Sequence, residues 1–167
     1  TGEGDHYDPT ARAARLSADN HNGKSITAVA VAAHEVSHAV QHARGEAMFD
    51  WRGKLVRLLI GVDRTAMIAA LVLPIVAVFV RAPLLIAINV AVVVGLLSLR
   101  VLVHLVTLPV ETDASFRKAL PVLENGGYLA PQDLPAARTV LRAAAFTYVA
   151  AALISVLDIL RLLRFGR

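Results

Sequence analysis

Three stretches of the chain carry no charged residue: Ala66–Val80, Leu84–Leu99 and Ala143–Leu157. Leu, Val, Ile and Ala dominate all three, and neither of the first two alternates polar with apolar residues at the spacing of a half-buried soluble helix. Taken strictly, about 15 residues at roughly 1.5 Å each fall short of a hydrocarbon layer near 30 Å. Arg64, Arg81, Arg100 and Arg161 lengthen them, because their apolar stems can lie along the helices while the charges reach the interface. Arg81-Ala82-Pro83 makes a very short link, so the first two stretches are expected to form a transmembrane hairpin and the third a further crossing. Buried helices of a soluble bundle are the alternative, and the unbroken apolarity of these stretches argues against it.

The polar parts read differently. In residues 1–24, "DHYDPTARAARLS" predicts a short extended pair about an Asp8-Pro9 turn, and "DNHNGK" a second turn. Ser25 or Thr27 then caps a helix over about 25–44, which stops at Gly45, a residue type that tolerates a left-handed C-terminal position. "MFDWRGKLVRLLIGV", from Met48 to Val62, predicts an amphipathic piece at the membrane interface, with Trp51 at headgroup level. The second helix of the hairpin runs past Arg100 and His104 to Pro109, which is expected to kink or end it. Asn125-Gly126-Gly127 is a break, and Pro131–Pro135 opens the last helix.

The fold class expected is mainly α: an integral-membrane helical bundle with a short N-terminal β-hairpin. Its parts are residues 1–65, an N-terminal part with the helix at about 25–44; 66–108, the hairpin; 109–142, a segment returning to the side of the first helix; and 143–167, a final membrane helix with a basic tail.

The net charge of +4 adds orientation rather than a nucleic-acid partner, because the basic residues flank apolar stretches instead of forming one patch with interleaved aromatics. Basic residues between Arg44 and Arg64 and between Arg100 and Arg142 fall on one side of the hairpin, and the positive-inside rule makes that side cytoplasmic. Arg161, Arg164 and Arg167 dissent. Without cysteine the chain has no disulfide and no thiolate metal site. It begins at Thr1 without an initiator Met, so sequence upstream of it is expected.

The chemistry concentrates in "VAAHEVSHAVQH", Val31–His42. Residues four apart on a helix project from one face about 6 Å apart, so His34 and His38 can offer imidazole nitrogens to one metal ion. Glu35 stands beside that ion, placed to take a proton from a bound water. A catalytic site needs a third protein ligand. His42 continues the series but lies roughly 12 Å along the axis from His34, so it reads as a surface or supporting histidine. His104, Glu111 and Asp113 lie where the hairpin returns. His104 still sits in an apolar run, Glu111 follows Pro109 and can face the first helix, and Asp113 and Ser115 can orient the ligand histidines or cap a helix. Tyr7, His6, Tyr128 and Arg117 are the candidates to stabilise an oxyanion, and the segment His6–Ser17 offers an edge to which a substrate strand could add.

"DHYDP", "ARLS", "KSITAVAVAAHEVSHAVQ", "VTLPVETDAS" and "VLRAAAFTYVAAALISVL" resemble the YugP-like neutral zinc metallopeptidases, bacterial integral-membrane proteins, in the same order over nearly the whole chain. The resemblance implies that His34 and His38 bind one zinc ion, that Glu35 is the catalytic base, and that Glu111 is the third ligand, a gluzincin-like set. The resemblance also implies that residues 1–65 are the N-terminal part of a metallopeptidase domain, with His34 and His38 on a zincin-like helix, and that a membrane anchor precedes them, since family members usually carry one. Ser37, Thr112 and His104 depart from the family pattern, which usually has Gly, an aromatic residue and Gln there. The expected function is zinc-dependent endopeptidase hydrolysis by a multi-pass protein of the cell membrane. Its site lies near the bilayer on the cytoplasmic side, its partners are lipid and a peptide or membrane-protein substrate, and nucleic acid is excluded. A catalytically silent zinc-binding scaffold is the alternative; retention of Glu35, a base that a structural site does not need, speaks against it. A transporter would carry ionisable residues inside its spans.

Overall fold

The computed structural model describes residues 4–80 and 83–165, so the expected link at Arg81-Ala82 and the terminal Arg167 lie outside the described residues. The chain is mainly helical with one small antiparallel sheet, and it divides into two compact units. One unit comprises Thr1–Trp51 and Thr107–Thr147; the other comprises Arg52–Val106 and Tyr148–Arg167.

The first unit opens with strands β1 (His6–Asp8) and β2 (Ala13–Arg15), paired so that His6 lies opposite Arg15 and Asp8 opposite Ala13. The turn forms because Asp8 Oδ1 accepts from the Thr10 and Ala11 backbone N–H groups, at 2.9 and 3.0 Å, the self-bonding that favours Asp at turns. The second expected turn is instead a short helix, α1 (Ala18–Asn22). Asp5 stabilises it by accepting from the Ser17 N–H and the Asn20 amide, both at 2.7 Å, so residues read as turn formers are tied into a helical turn.

Helix α2 (Ile26–Ala43) starts at Ser25, whose hydroxyl accepts from the Ala28 N–H, and stops where Gly45 takes φ +61°. Further along the chain come a π-helical stretch (Asp113–Ala119), α5 (Leu120–Asn125) and a single 3₁₀ turn (Pro131–Asp133). The core joins α2 to these elements and to the early part of the last helix: Ala30, Ala119, Leu120, Leu123, Ala137 and Leu141 are buried together. Three of these six are alanines, which let the backbones approach closely.

Three long helices run from the first unit into the second: α3 (Ala47–Val80), α4 (Pro83–Thr112) and α6 (Leu134–Phe165). The interfacial piece expected over Met48–Val62 is therefore not a separate element but the start of α3. Neither Gly53 nor Gly61 has a left-handed backbone, and nothing else in that stretch breaks a helix. Pro109 likewise does not end α4. A proline removes only its own donor, and the Thr112 hydroxyl donates to the carbonyls of Leu108 and Pro109, at 3.0 Å each, in the turn that follows.

Within the second unit, Arg52 donates to the Tyr148 hydroxyl at 2.8 Å and His104 packs its ring against Tyr148, so α3, α4 and α6 are joined through one aromatic residue. Among the described residues, two helical stretches are long and apolar enough to cross a membrane, Leu84–Asn125 and Pro131–Arg161. The other expected run, Ala66–Val80, lies in α3, where some side chains lie outside the described residues. Many large apolar side chains of these helices point outward; Leu71, Phe79 and Leu84 are all about 70% exposed or more.

Candidate metal centre

Helix α2 presents His34 and His38 on one face, with ring centroids 4.7 Å apart. The end of α4 delivers Glu111 to the same point: its Oε2 lies 3.2 Å from His34 Nε2 and 3.4 Å from His38 Nε2. All three side chains are buried, and among the described residues they form the one group of His, Cys, Asp and Glu whose ligand atoms, all within 4.8 Å of one another, could hold a metal ion. The donor set suits zinc. With metal–ligand distances of about 2.1 Å, donors at the corners of a tetrahedron lie about 3.4 Å apart. The two observed separations match that edge, whereas a charge-assisted hydrogen bond would settle near about 2.8 Å.

Glu35 is also buried, on the turn of α2 between the two histidines.

The other nitrogen of each imidazole is occupied. Ser115 Oγ lies 3.1 Å from His34 Nδ1, and Gln41 Oε1 lies 2.8 Å from His38 Nδ1. Asp113 reaches no histidine directly; its carboxylate accepts from Gln41 Nε2 at 2.8 Å and from Lys118, which also pairs with Glu46 at 3.0 Å. Burial raises the Asp113 carboxyl, but hydrogen bonds from Lys118 and Gln41 and the charges of Lys118 and Arg117 outweigh it, so the group is held below its ordinary range. Lys118 is displaced the other way: burial lowers it, while its bonds to Asp113 and Glu46 prevail and raise it.

Glu111 stands at the end of α4 and is followed directly by the π-helical stretch that carries Asp113 and Ser115; such wider turns often occur at functional sites.

His42 stands outside the cluster. Its Nδ1 is 2.9 Å from the Tyr7 hydroxyl and its ring stacks on Phe49, which also lies 5.9 Å from the His38 ring. Tyr7 thereby anchors the hairpin to α2. His6 bonds to Gly4 O, and Tyr128 is exposed beside Val122 and Leu123. Arg117 lines a cavity of about 420 Å³ with Gln41, Phe49, Val110 and Asp113. His104 belongs to the second unit, against Tyr148.

Gln41 is the residue that the sequence reading overlooked. Its signal was its position, three residues after His38 and seven after His34, which puts it on the ligand face.

Residues 1–167 match the protein family described as "Putative neutral zinc metallopeptidase". The chain is also 39% identical, over 158 residues, to "Putative membrane protease YugP" of Bacillus subtilis (strain 168). That match covers 94% of this chain and 66% of the relative, so the chain spans just under two thirds of the relative's length. No solved structure matches it.

Proposed function

The chain belongs to this zinc metallopeptidase family, and from that premise we propose that it is a membrane-embedded, zinc-dependent endopeptidase. The observation that carries the reading is the convergence of His34 Nε2, His38 Nε2 and Glu111 Oε2 at tetrahedral-edge distances. His34, His38 and Glu111 would hold one zinc ion per chain, which would supply a water of lowered pKa and a polarised carbonyl. Glu35 takes the proton of the attacking water and returns it to the leaving amine. Ser115 and Gln41 hold the two imidazoles so that Nε2 of each faces the centre. The buried walls about Glu111 keep bulk water from competing.

Membrane embedding is supported by the relative's name, "membrane protease", and by two long apolar stretches whose side chains are mostly outward-facing. A hairpin over 66–108 and a further crossing over 143–157 complete the arrangement. Because one helix, α4, carries both an apolar stretch and Glu111, the centre belongs near the bilayer, and the basic flanks put it on the cytoplasmic side. The substrate is a peptide or a membrane protein reaching that level.

The test is zinc content and peptide hydrolysis by the full chain in detergent, beside Glu35→Gln and Glu111→Ala. Chelation should abolish hydrolysis and added zinc restore it. Glu35→Gln should keep one zinc and lose activity by about 10²–10⁴-fold, while Glu111→Ala should lose the metal. Full activity in Glu35→Gln refutes the catalytic assignment, and undiminished zinc affinity in Glu111→Ala refutes the ligand set.

A further inference from the structure

Resting on the metal reading above, we infer that Gln41 is the positioning residue of this centre, fixing at once the tautomer of His38 and the placement of Glu111. Its side chain is 1% exposed, so no water substitutes for its hydrogen bonds. Gln41 Nε2 donates to Val110 O at 2.9 Å and to Asp113 Oδ2 at 2.8 Å. A backbone carbonyl and a carboxylate only accept, so the amide has one orientation, nitrogen toward these two and oxygen toward the imidazole. Gln41 Oε1 therefore accepts from His38 Nδ1–H at 2.8 Å, which leaves the lone pair of His38 on Nε2, the atom facing Glu111.

The two groups that receive the amide protons flank Glu111 in the chain. Val110 precedes it and Asp113 lies two residues beyond, so one side chain on α2 holds the backbone on both sides of the third ligand. Ser115 reaches His34 alone. Lys118 extends the device by holding Asp113 and pairing with Glu46, the residue just before α3, so the orientation of the amide is secured from behind by two charges.

A simple packing role would be satisfied by any side chain of similar volume; positioning requires the acceptor toward His38 and the donors toward Val110 and Asp113. The test uses the full chain in detergent, with zinc affinity read by chelator competition and the His38 ring protons read by nitrogen-15 NMR of the zinc-free protein. Gln41→Met, which keeps the bulk, should raise the zinc Kd about 10–100-fold, the usual effect of losing a group that orients a metal ligand, and should remove the Nδ1–H signature of His38. Gln41→Glu alone sets a carboxylate against Asp113 and should weaken binding as well. Gln41→Glu combined with Asp113→Asn reverses donor and acceptor between the two positions and keeps the acceptor toward His38, but leaves a carboxylate oxygen against Val110 O, so it should bind zinc more tightly than Gln41→Glu alone and less tightly than the unsubstituted chain.

The inference is overturned if Gln41→Met binds zinc as tightly as the unsubstituted chain, or if the paired variant binds no better than Gln41→Glu alone. If the unsubstituted chain takes up no zinc in the same competition, the metal reading falls and this inference with it; zinc uptake that is indifferent to Gln41 sinks only this inference. Should Gln41→Met not fold, the paired variant, which preserves both side-chain sizes, decides the matter.

Discussion

Replacing Leu141 with alanine should loosen the metal centre without touching a polar atom. Leu141 has no exposed surface and lies among Ala30, Ala119, Ala137, Leu120 and Leu123. The substitution removes three carbons from a dry core, worth about 2.4 kcal/mol in transfer free energy at about 0.8 per carbon. Three of its five neighbours are alanines, with no rotamer by which to fill the space, so a cavity remains and its cost adds to the transfer loss. The total should be about 4 kcal/mol, inside the range of about 2.7–5.0 measured for buried leucines elsewhere. Because Ala30 lies on α2, the loss should appear in the opening of that helix. Each 1.4 kcal/mol is about tenfold in an equilibrium, so hydrogen exchange of the α2 amides, followed on the full chain in detergent, should accelerate about a thousandfold. Val122→Ala is the control: Val122 is 51% exposed and in the same unit, and its truncation should cost no more than about 0.5 kcal/mol. Equal exchange in the two variants would refute this placement of the core.

Ser25→Ala removes the acceptor for the Ala28 N–H and should cost about 1 kcal/mol, seen as fraying of the first turn of α2 with zinc affinity retained; unchanged exchange at Ala28 and Val29 would count against the cap. Acid should release the N-terminal hairpin from α1. Burial raises the Asp5 carboxyl, but bonds from the Ser17 N–H and the Asn20 amide prevail and hold it below its ordinary 3.8. A depressed folded value means stability that is present above pH about 3.8 and lost as the pH falls through the lower folded value. Protection of the Ser17 amide should therefore decline below pH about 3.8 in the native chain and show no such step in Asp5→Asn; an identical decline in both would place the cause elsewhere.

Much of this was legible from local chemistry. Ser25 and Gly45 bracket α2 because a cap and a left-handed stop are properties of single residues, and His34 and His38 share a face because helical spacing is fixed. Glu111 was one of three candidates on the residues alone, since contact across more than seventy positions leaves no periodic mark; the family resemblance separated it from His104 and Asp113. The continuity of α4 through Pro109 was misread because a proline is a strong breaker in water, where the freed carbonyl gains little from staying in a helix. Beside apolar surroundings and a threonine that bonds back to Leu108 and Pro109, the helical path is retained.

Gln41 shows the limit of reading by chemical type. An uncharged amide attracts no notice beside two histidines and a glutamate, yet it is the side chain whose partners lie on both sides of the third ligand. The same continuity that was misread at Pro109 keeps Glu111 in α4 and carries the helical path on into the wider π turn, whose Asp113 and Ser115 bond to Gln41 and His34 of α2. Had α4 ended at Pro109, the positions of these residues would have depended on a loop. Held within one hydrogen-bonded run, their spacing is set by backbone geometry, and a single amide on α2 suffices to fix the register between the two halves of the centre.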